Sequence, residues 1–131
     1  MVIDTSALLT ILLDEPERHH FNELIASDPV RLLSAGSYLE TASVLQAKFG
    51  KAGMINLKLF LTAAGLLITE FSSRHADIAS AAYLSYGKGR HPAGLNFGDC
   101  ISYALAKDTG EPLLFKGDDF SKTDVASVTH T

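Results

Sequence analysis

Four short apolar runs constrain this chain more than any other feature: Val2-Ile3, Val30 to Leu33, Leu66-Leu67-Ile68 and Leu113-Leu114-Phe115. Each is too short for a stable helix and reads as a strand, Val2-Ile3 as a buried one. Stretches with helical spacing separate them, so one strand leads to the next only through helix. The first such unit (strand, helices, strand) is complete within about 33 residues, which points to α/β architecture.

The helices follow from apolar spacing and from stop signals. Ser6 is expected to cap a short helix to about Leu13, so apolar on all sides that it should be buried. Pro16 suits the opening of a second helix that runs to about Ser27. Ser34 to Ser37 opens a third, with Tyr38, Ala42, Leu45 and Phe49 as its core stripe and Gly50 and Gly53 as its end. Met54 to Ala64 makes a fourth, with Ile55 and Leu59 inward. A fifth ends near Tyr86 and turns His75, Ile78, Ala79, Ala82 and Tyr83 toward the interior or a partner. Asn96 caps a sixth, with a core stripe of Phe97, Ile101, Ala104 and Leu105 and a stop at Gly110. Val125 to Val128 is expected to add a short edge strand, and His130 to lie in a C-terminal tail. With no repeat or linker, residues 1–131 form a single domain.

Composition narrows the function. Apolar residues make up 47% and charged residues 20% of the chain, a globular balance. A net charge of −4 excludes a protein that works through a broad basic surface. A small basic rim remains open, and Lys88, Arg90 and His91 supply one in the irregular stretch from Gly87 to Gly94. Cys100 is the one cysteine, so an internal disulfide and a cysteine zinc cluster are excluded. It reads as a small buried residue in a reducing compartment. The longest apolar stretches fall short of a membrane span, so a soluble cytoplasmic protein is expected, with no membrane partner.

The acids are placed unusually. Asp4 and the Asp118-Asp119 pair follow apolar strands, while Glu40 and Asp99 sit in the expected first turns of helices. In open α/β sheets the crevice beyond the carboxyl ends of the strands collects such positions. Plain alternatives exist for most: Asp99 completes a capping box with Asn96, Glu40 favours a helix dipole, and Asp118 and Asp119 suit a turn. Asp4, flanked by Ile3 and Ala7-Leu8-Leu9, is harder to dismiss. Two carboxylates about 4 Å apart repel by roughly 4 kcal/mol at an effective dielectric near 20, so a cluster of them calls for a cation. Oxygen ligands alone select Mg²⁺ or Mn²⁺ over zinc.

The same residues resemble a known family. Met1-Val2-Ile3-Asp4-Thr5-Ser6-Ala7-Leu8 is similar to the opening of PIN-domain ribonucleases, and Tyr38-Leu39-Glu40-Thr41 to their second acidic motif. Gly87-Lys88-Gly89-Arg90-His91 with Leu95-Asn96-Phe97-Gly98-Asp99-Cys100, then Leu113 through Phe120, resembles the VapC toxins of bacterial toxin–antitoxin pairs. The resemblance implies a three-layer sandwich with a central, mainly parallel sheet of four or five short strands flanked by helices. It implies a Mg²⁺- or Mn²⁺-dependent endoribonuclease cutting transfer or ribosomal RNA, a homodimer, and inhibition by a VapB-type antitoxin. Carried onto this chain, Asp4 and Asp99 would be the principal metal ligands, with Glu40 completing the site. Asp119 would be the fourth acid, with Asp118 the alternative. Ser6 would orient the carboxylate or water, and Arg90 and Lys116 would contact phosphate. Two other readings stay open: an Asp-based phosphoryl-transfer or receiver-like domain, and a non-catalytic binding module.

Overall fold

The computed structural model describes residues 1–128, so His130 lies outside the described residues. In chain order the elements are β1 (Val2–Ile3), α1 (Thr5–Leu12), α2 (Arg18–Ser27), β2 (Leu32–Ser34), α3 (Ala35–Phe49) and α4 (Lys51–Ala64). They continue as β3 (Leu67–Thr69), α5 (Ser73–Tyr86), α6 (Phe97–Thr109) and β4 (Leu113–Leu114), with a short 3₁₀ turn at Phe120–Lys122. The four strands form one sheet in the order β3-β2-β1-β4, and every pairing is parallel.

Strand periodicity divides the core in two. Ile3, Leu33 and Leu114 point to one face and pack with buried residues of α1, α2, α3 and α4. Their neighbours Val2 and Leu113 point to the other face and pack against α5, α6 and the segment after β4, with Leu32 partly buried beside them. Strands β1 and β4 are buried on both faces, which needs apolar residues at consecutive positions, whereas the edge strand β3 leaves Leu67 and Ile68 exposed. The result is helix, sheet, helix: three layers.

The chain winds from β1 to β2 to β3 in one direction, then returns to place β4 on the free side of β1. That reversal opens a crevice at the carboxyl ends of β1 and β4. The backbone ties the two ends closely there, for Asp4 N–H donates to Leu114 O at 3.0 Å.

Several expectations need correction. Asp4, not Ser6, caps α1. Pro16 lies in the turn before α2, which starts at Arg18. Gly53 does not end a helix but sits inside α4, packed against the Leu45 backbone. Ile55 and Leu59 face outward, and Gly53, Leu57 and Leu61 form the inner face instead. Phe49 and Phe97 are exposed, the latter by 82%. Tyr83 is also exposed, whereas His75 and Ala82 are buried as expected. Val125 to Val128 makes a single parallel bridge, Leu113 to Ser127, rather than a strand.

Candidate active site

Asp4 stands at the head of the crevice. Its Oδ2 accepts from Ser6 N–H at 3.0 Å and from Ser6 Oγ at 2.6 Å, so the residue caps α1 and is fixed in rotation by the hydroxyl beside it. Ser6 Oγ in turn accepts from Lys116 N–H at 3.0 Å, which joins the end of β1 to the chain leaving β4. The other oxygen, Asp4 Oδ1, is buried and has no hydrogen-bond partner among the described residues. Burial pushes the Asp4 carboxyl above its ordinary range, against the hydroxyls of Ser102 and Ser6 that favour the charged form. Ser102 Oγ also shares a hydrogen bond with Ser37 Oγ at 2.9 Å, in which either hydroxyl can donate. A buried carboxylate oxygen left without a partner is costly, about 1–3 kcal/mol or more, and marks a position awaiting a ligand.

Asp99 belongs to the first turn of α6. It forms the capping box with Asn96: Asn96 Oδ1 accepts from Asp99 N–H at 2.8 Å, and Asp99 Oδ2 accepts from Asn96 N–H at 3.0 Å. The helix dipole and this reciprocal pair explain why an acid is tolerated there. They do not explain its electrostatics. The Asp99 carboxyl is pushed up to about 6, first by burial and further by the charges of Asp4, Asp119 and Glu40, against the Asn96 N–H that favours ionisation. Three acids from three other parts of the chain therefore act on Asp99.

Glu40 reaches this group from the second turn of α3, one turn deeper than expected, because α3 starts at Ala35 behind the cap Ser34. Its carboxylate lies across Gly98: a Cβ built there would stand 2.2 Å from Oε2 and 2.6 Å from Oε1. The glycine is thus what lets α3 and α6 bring Glu40 beside Asp99. One turn earlier Gly36 performs the same service for Ile101, whose side chain would meet a Cβ at 2.8 Å. Asp119, in the turn after β4, is exposed and uses no side-chain oxygen as a cap. Of the two adjacent aspartates it is Asp119 whose charge is felt at Asp99.

The basic residues are placed differently. Lys88 and Arg90 are exposed in the turn between α5 and α6, and neither forms an ion pair with another described residue. His91 is engaged locally, its Nδ1 accepting from Ala93 N–H at 3.0 Å. Lys116 does not present a free ammonium: its Nζ pairs with Glu15 and, at 3.2 Å, with Glu17. A phosphate at Lys116 would compete with these two carboxylates for its charge. Cys100 is buried, its thiol pushed up to about 11 by burial and by Asp99, so it is no nucleophile.

Whether these residues fit a hard cation rests on the donors. They are all oxygens, and the partnerless Asp4 Oδ1 and the charge-crowded Asp99 could supply a pair. Among the described residues no three acidic, histidine or cysteine side chains stand in a closed metal cage. Mg²⁺ needs none, since it keeps several waters and takes one or two carboxylates. Sequence reasoning misses Gly98, Ser37 and Ser102. Ser102 carries a usable signal, lying three residues after Asp99 on the same helical face.

The PIN domain family matches residues 1–126 of the chain. The chain is 54% identical over 128 residues to Ribonuclease VapC30 of Mycobacterium tuberculosis, covering 98% of each chain. Among solved structures, VapC20 of Mycobacterium tuberculosis, described as a Sarcin-Ricin loop cleaving toxin, superimposes with a TM-score of 0.77 at 19% identity, covering 97% of each chain. VapBC2 from Rickettsia felis, bound to a DNA fragment from its promoter, gives 0.75 at 15% identity, covering 98% of this chain and 96% of the other. The two structures speak for the fold, and the 54% relative for the lineage within it. Matched in sequence over nearly its whole length, the chain belongs to the PIN-domain family, among its VapC ribonucleases.

Proposed function

We propose that the protein is a Mg²⁺- or Mn²⁺-dependent endoribonuclease and the toxin of a type II toxin–antitoxin pair. The observation that carries the reading is the acidic crevice: a buried Asp4 oxygen without a partner, beside an Asp99 raised by the charges of Asp4, Asp119 and Glu40. The name ribonuclease borne by the 54% identical relative supports the same chemistry.

Asp4 and Asp99 would hold the ion. When bound, it lowers the pKa of a water and neutralises charge that builds on the phosphoryl group. The protein does the rest. Ser6 fixes the rotation of the Asp4 carboxylate. Glu40, seated over Gly98, is the carboxylate placed to take the proton of the attacking water. Asp119 completes the acidic wall on the β4 side, with Asp118 next to it in the chain. Arg90, exposed in the basic turn, steadies a substrate phosphate or the leaving 3′-oxygen, a task Lys116 shares if it leaves Glu15 and Glu17.

The substrate class is structured RNA, transfer or ribosomal. The VapBC2 neighbour supports a VapB-type antitoxin as partner. Exposed Phe97, at the mouth of a 440 Å³ groove between α5 and α6 lined by Phe71, Tyr83 and Ile101, supports a protein contact there, in a homodimer or with the antitoxin. No described helix is long and apolar enough to cross a membrane, and we place the protein in the cytoplasm. The test of the activity is cleavage of a structured RNA with Mg²⁺. Asp4→Asn and Asp99→Asn should each lose at least about a hundredfold in kcat, and undiminished cleavage by both would refute the mechanism.

A further inference from the structure

Asp99, Tyr103 and Lys107 recur at four-residue spacing, so they share one face of α6. Asp99 belongs to the acidic crevice. The other two reach the segment that carries Asp119. Tyr103 is buried, and its hydroxyl donates to Asp124 Oδ1 at 2.5 Å. Lys107 Nζ, one turn further on, donates to Asp124 Oδ2 at 3.1 Å. Both oxygens of a single carboxylate are therefore claimed by one helix face.

That carboxylate sits five residues beyond Asp119, in a stretch held by local bonds and by the burial of Phe120 and Val125. Ser121 N–H donates to Asp118 O at 3.2 Å, Thr123 N–H donates to Phe120 O at 3.0 Å, and Phe115 packs on Phe120 at 5.1 Å. The base of the loop is closed where Leu113 N–H donates to Ala126 O at 2.8 Å. Phe120 and Val125 anchor the segment in the apolar cluster shared with Tyr103, Leu105 and Ala106. The Asp124 pairings add the directional tie between the segment and α6. Burial and the Asp124 charge raise the Tyr103 phenol, and the Tyr103 hydroxyl lowers Asp124, so the donor stays protonated and the acceptor ionised. A hydrogen bond of that kind is roughly twice as strong as a neutral one. Tyr103 also packs its ring on Tyr86 at 6.0 Å, and Tyr86 meets His91 of the basic turn edge-on at 5.1 Å.

We propose that Tyr103, through its hydroxyl on Asp124, is a positioning residue that holds the Asp119 segment against the Asp99 end of α6. Neither Tyr103 nor Asp124 is bonded to the acids that would hold the ion, so the pair acts on the reaction through Asp119. The proposal rests on the acidic site as read above, and its test separates the two.

Tyr103→Phe keeps the ring on Tyr86 and removes only the hydroxyl. In metal-free protein, amide exchange at Ser121, Thr123 and Val125 should speed about tenfold while the amides of α1 to α4 keep their rates. In RNA cleavage with Mg²⁺, kcat should fall about tenfold with KM changed less than about twofold. Placed on Asp119→Asn, the same substitution should add no further loss, because it acts through the residue already removed. Asp124→Asn, which keeps a neutral acceptor for Tyr103 but loses the charge, should fall between the parent and Tyr103→Phe in exchange. Asp124→Leu, which loses the Lys107 pairing as well, should exchange at least as fast as Tyr103→Phe. Unchanged exchange in Tyr103→Phe and Asp124→Leu, or a loss that multiplies with that of Asp119→Asn, would overturn the proposal. A parent protein that cuts no RNA would overturn the ribonuclease reading instead, with the exchange comparison still deciding for or against the clamp.

Discussion

Asp99 does two jobs that oppose each other in energy. Through Oδ2 it caps α6, which stabilises the fold; as a charge crowded by Asp4, Asp119 and Glu40 it opposes folding. The second effect has a definite sign. An aspartate in the unfolded chain titrates near 3.8, and in the folded protein at about 6. Below the lower value both states are protonated and the folded protein bears no charge cost. As pH rises through about 6 the folded state must ionise at a disadvantage, and stability is lost. Metal-free protein should therefore melt lower at pH 7.5 than at pH 5. Asp99→Asn, which keeps an oxygen for the Asn96 N–H, should gain about 1–2 kcal/mol at pH 7.5 once solvent screening is allowed for. A melting curve at pH 7.5 no more stable than the parent would contradict this. Gly98→Ala separates activity from stability in a different way. The added methyl meets the flexible end of Glu40, not backbone. Alanine in a helix is favoured over glycine by roughly 0.5–1 kcal/mol, so the melting temperature should hold or rise. RNA cleavage should drop about tenfold or more as Glu40 is pushed aside.

At the scale of elements, the pairing of α3 with α4 shows how a glycine can mislead. Gly50 and Gly53 both read as stop signals in sequence, yet only Gly50 breaks the helix, at φ 61°. Gly53 is needed because α4 crosses so close to α3 that a Cβ would lie 2.4 Å from the Leu45 carbonyl oxygen. Backbone cannot yield as Glu40 can. Gly53→Ala should cost about 1–3 kcal/mol by overpacking, read as a lower denaturation midpoint with an unchanged slope. Close approach also rotates α4, turning Leu57 and Leu61 inward and leaving Ile55 and Leu59 on the surface. Helical spacing alone predicts that an apolar face exists, but the neighbour decides which of two overlapping faces is buried. Phe97 illustrates the same limit: it shares a stripe with Ile101, yet as the first residue of α6 it is left exposed. Strand positions were legible for the opposite reason. A two- or three-residue run buried on both faces has no alternative face to choose, so Val2-Ile3 and Leu113-Leu114 were readable from residue type alone.

Over the whole molecule, the candidate site follows from topology. Asp4 and the Asp118-Asp119 pair were visible because each follows a strand, and Asp99 because it opens a helix; a parallel sheet whose winding reverses brings such positions to one crevice. What the sequence does not display is the supporting structure: the Gly98 seat for Glu40, the Ser37–Ser102 pair beside Asp4, and the Glu15 and Glu17 carboxylates that occupy Lys116. These are contacts between residues far apart in the chain, set by packing rather than by local pattern. The central claim, that this crevice cuts RNA with a divalent cation, is tested most directly by metal removal. Protein freed of metal with a chelator should leave a structured RNA intact, and added Mg²⁺ or Mn²⁺ should restore cleavage in a saturable way. Cleavage that continues undiminished in the chelator would contradict the account.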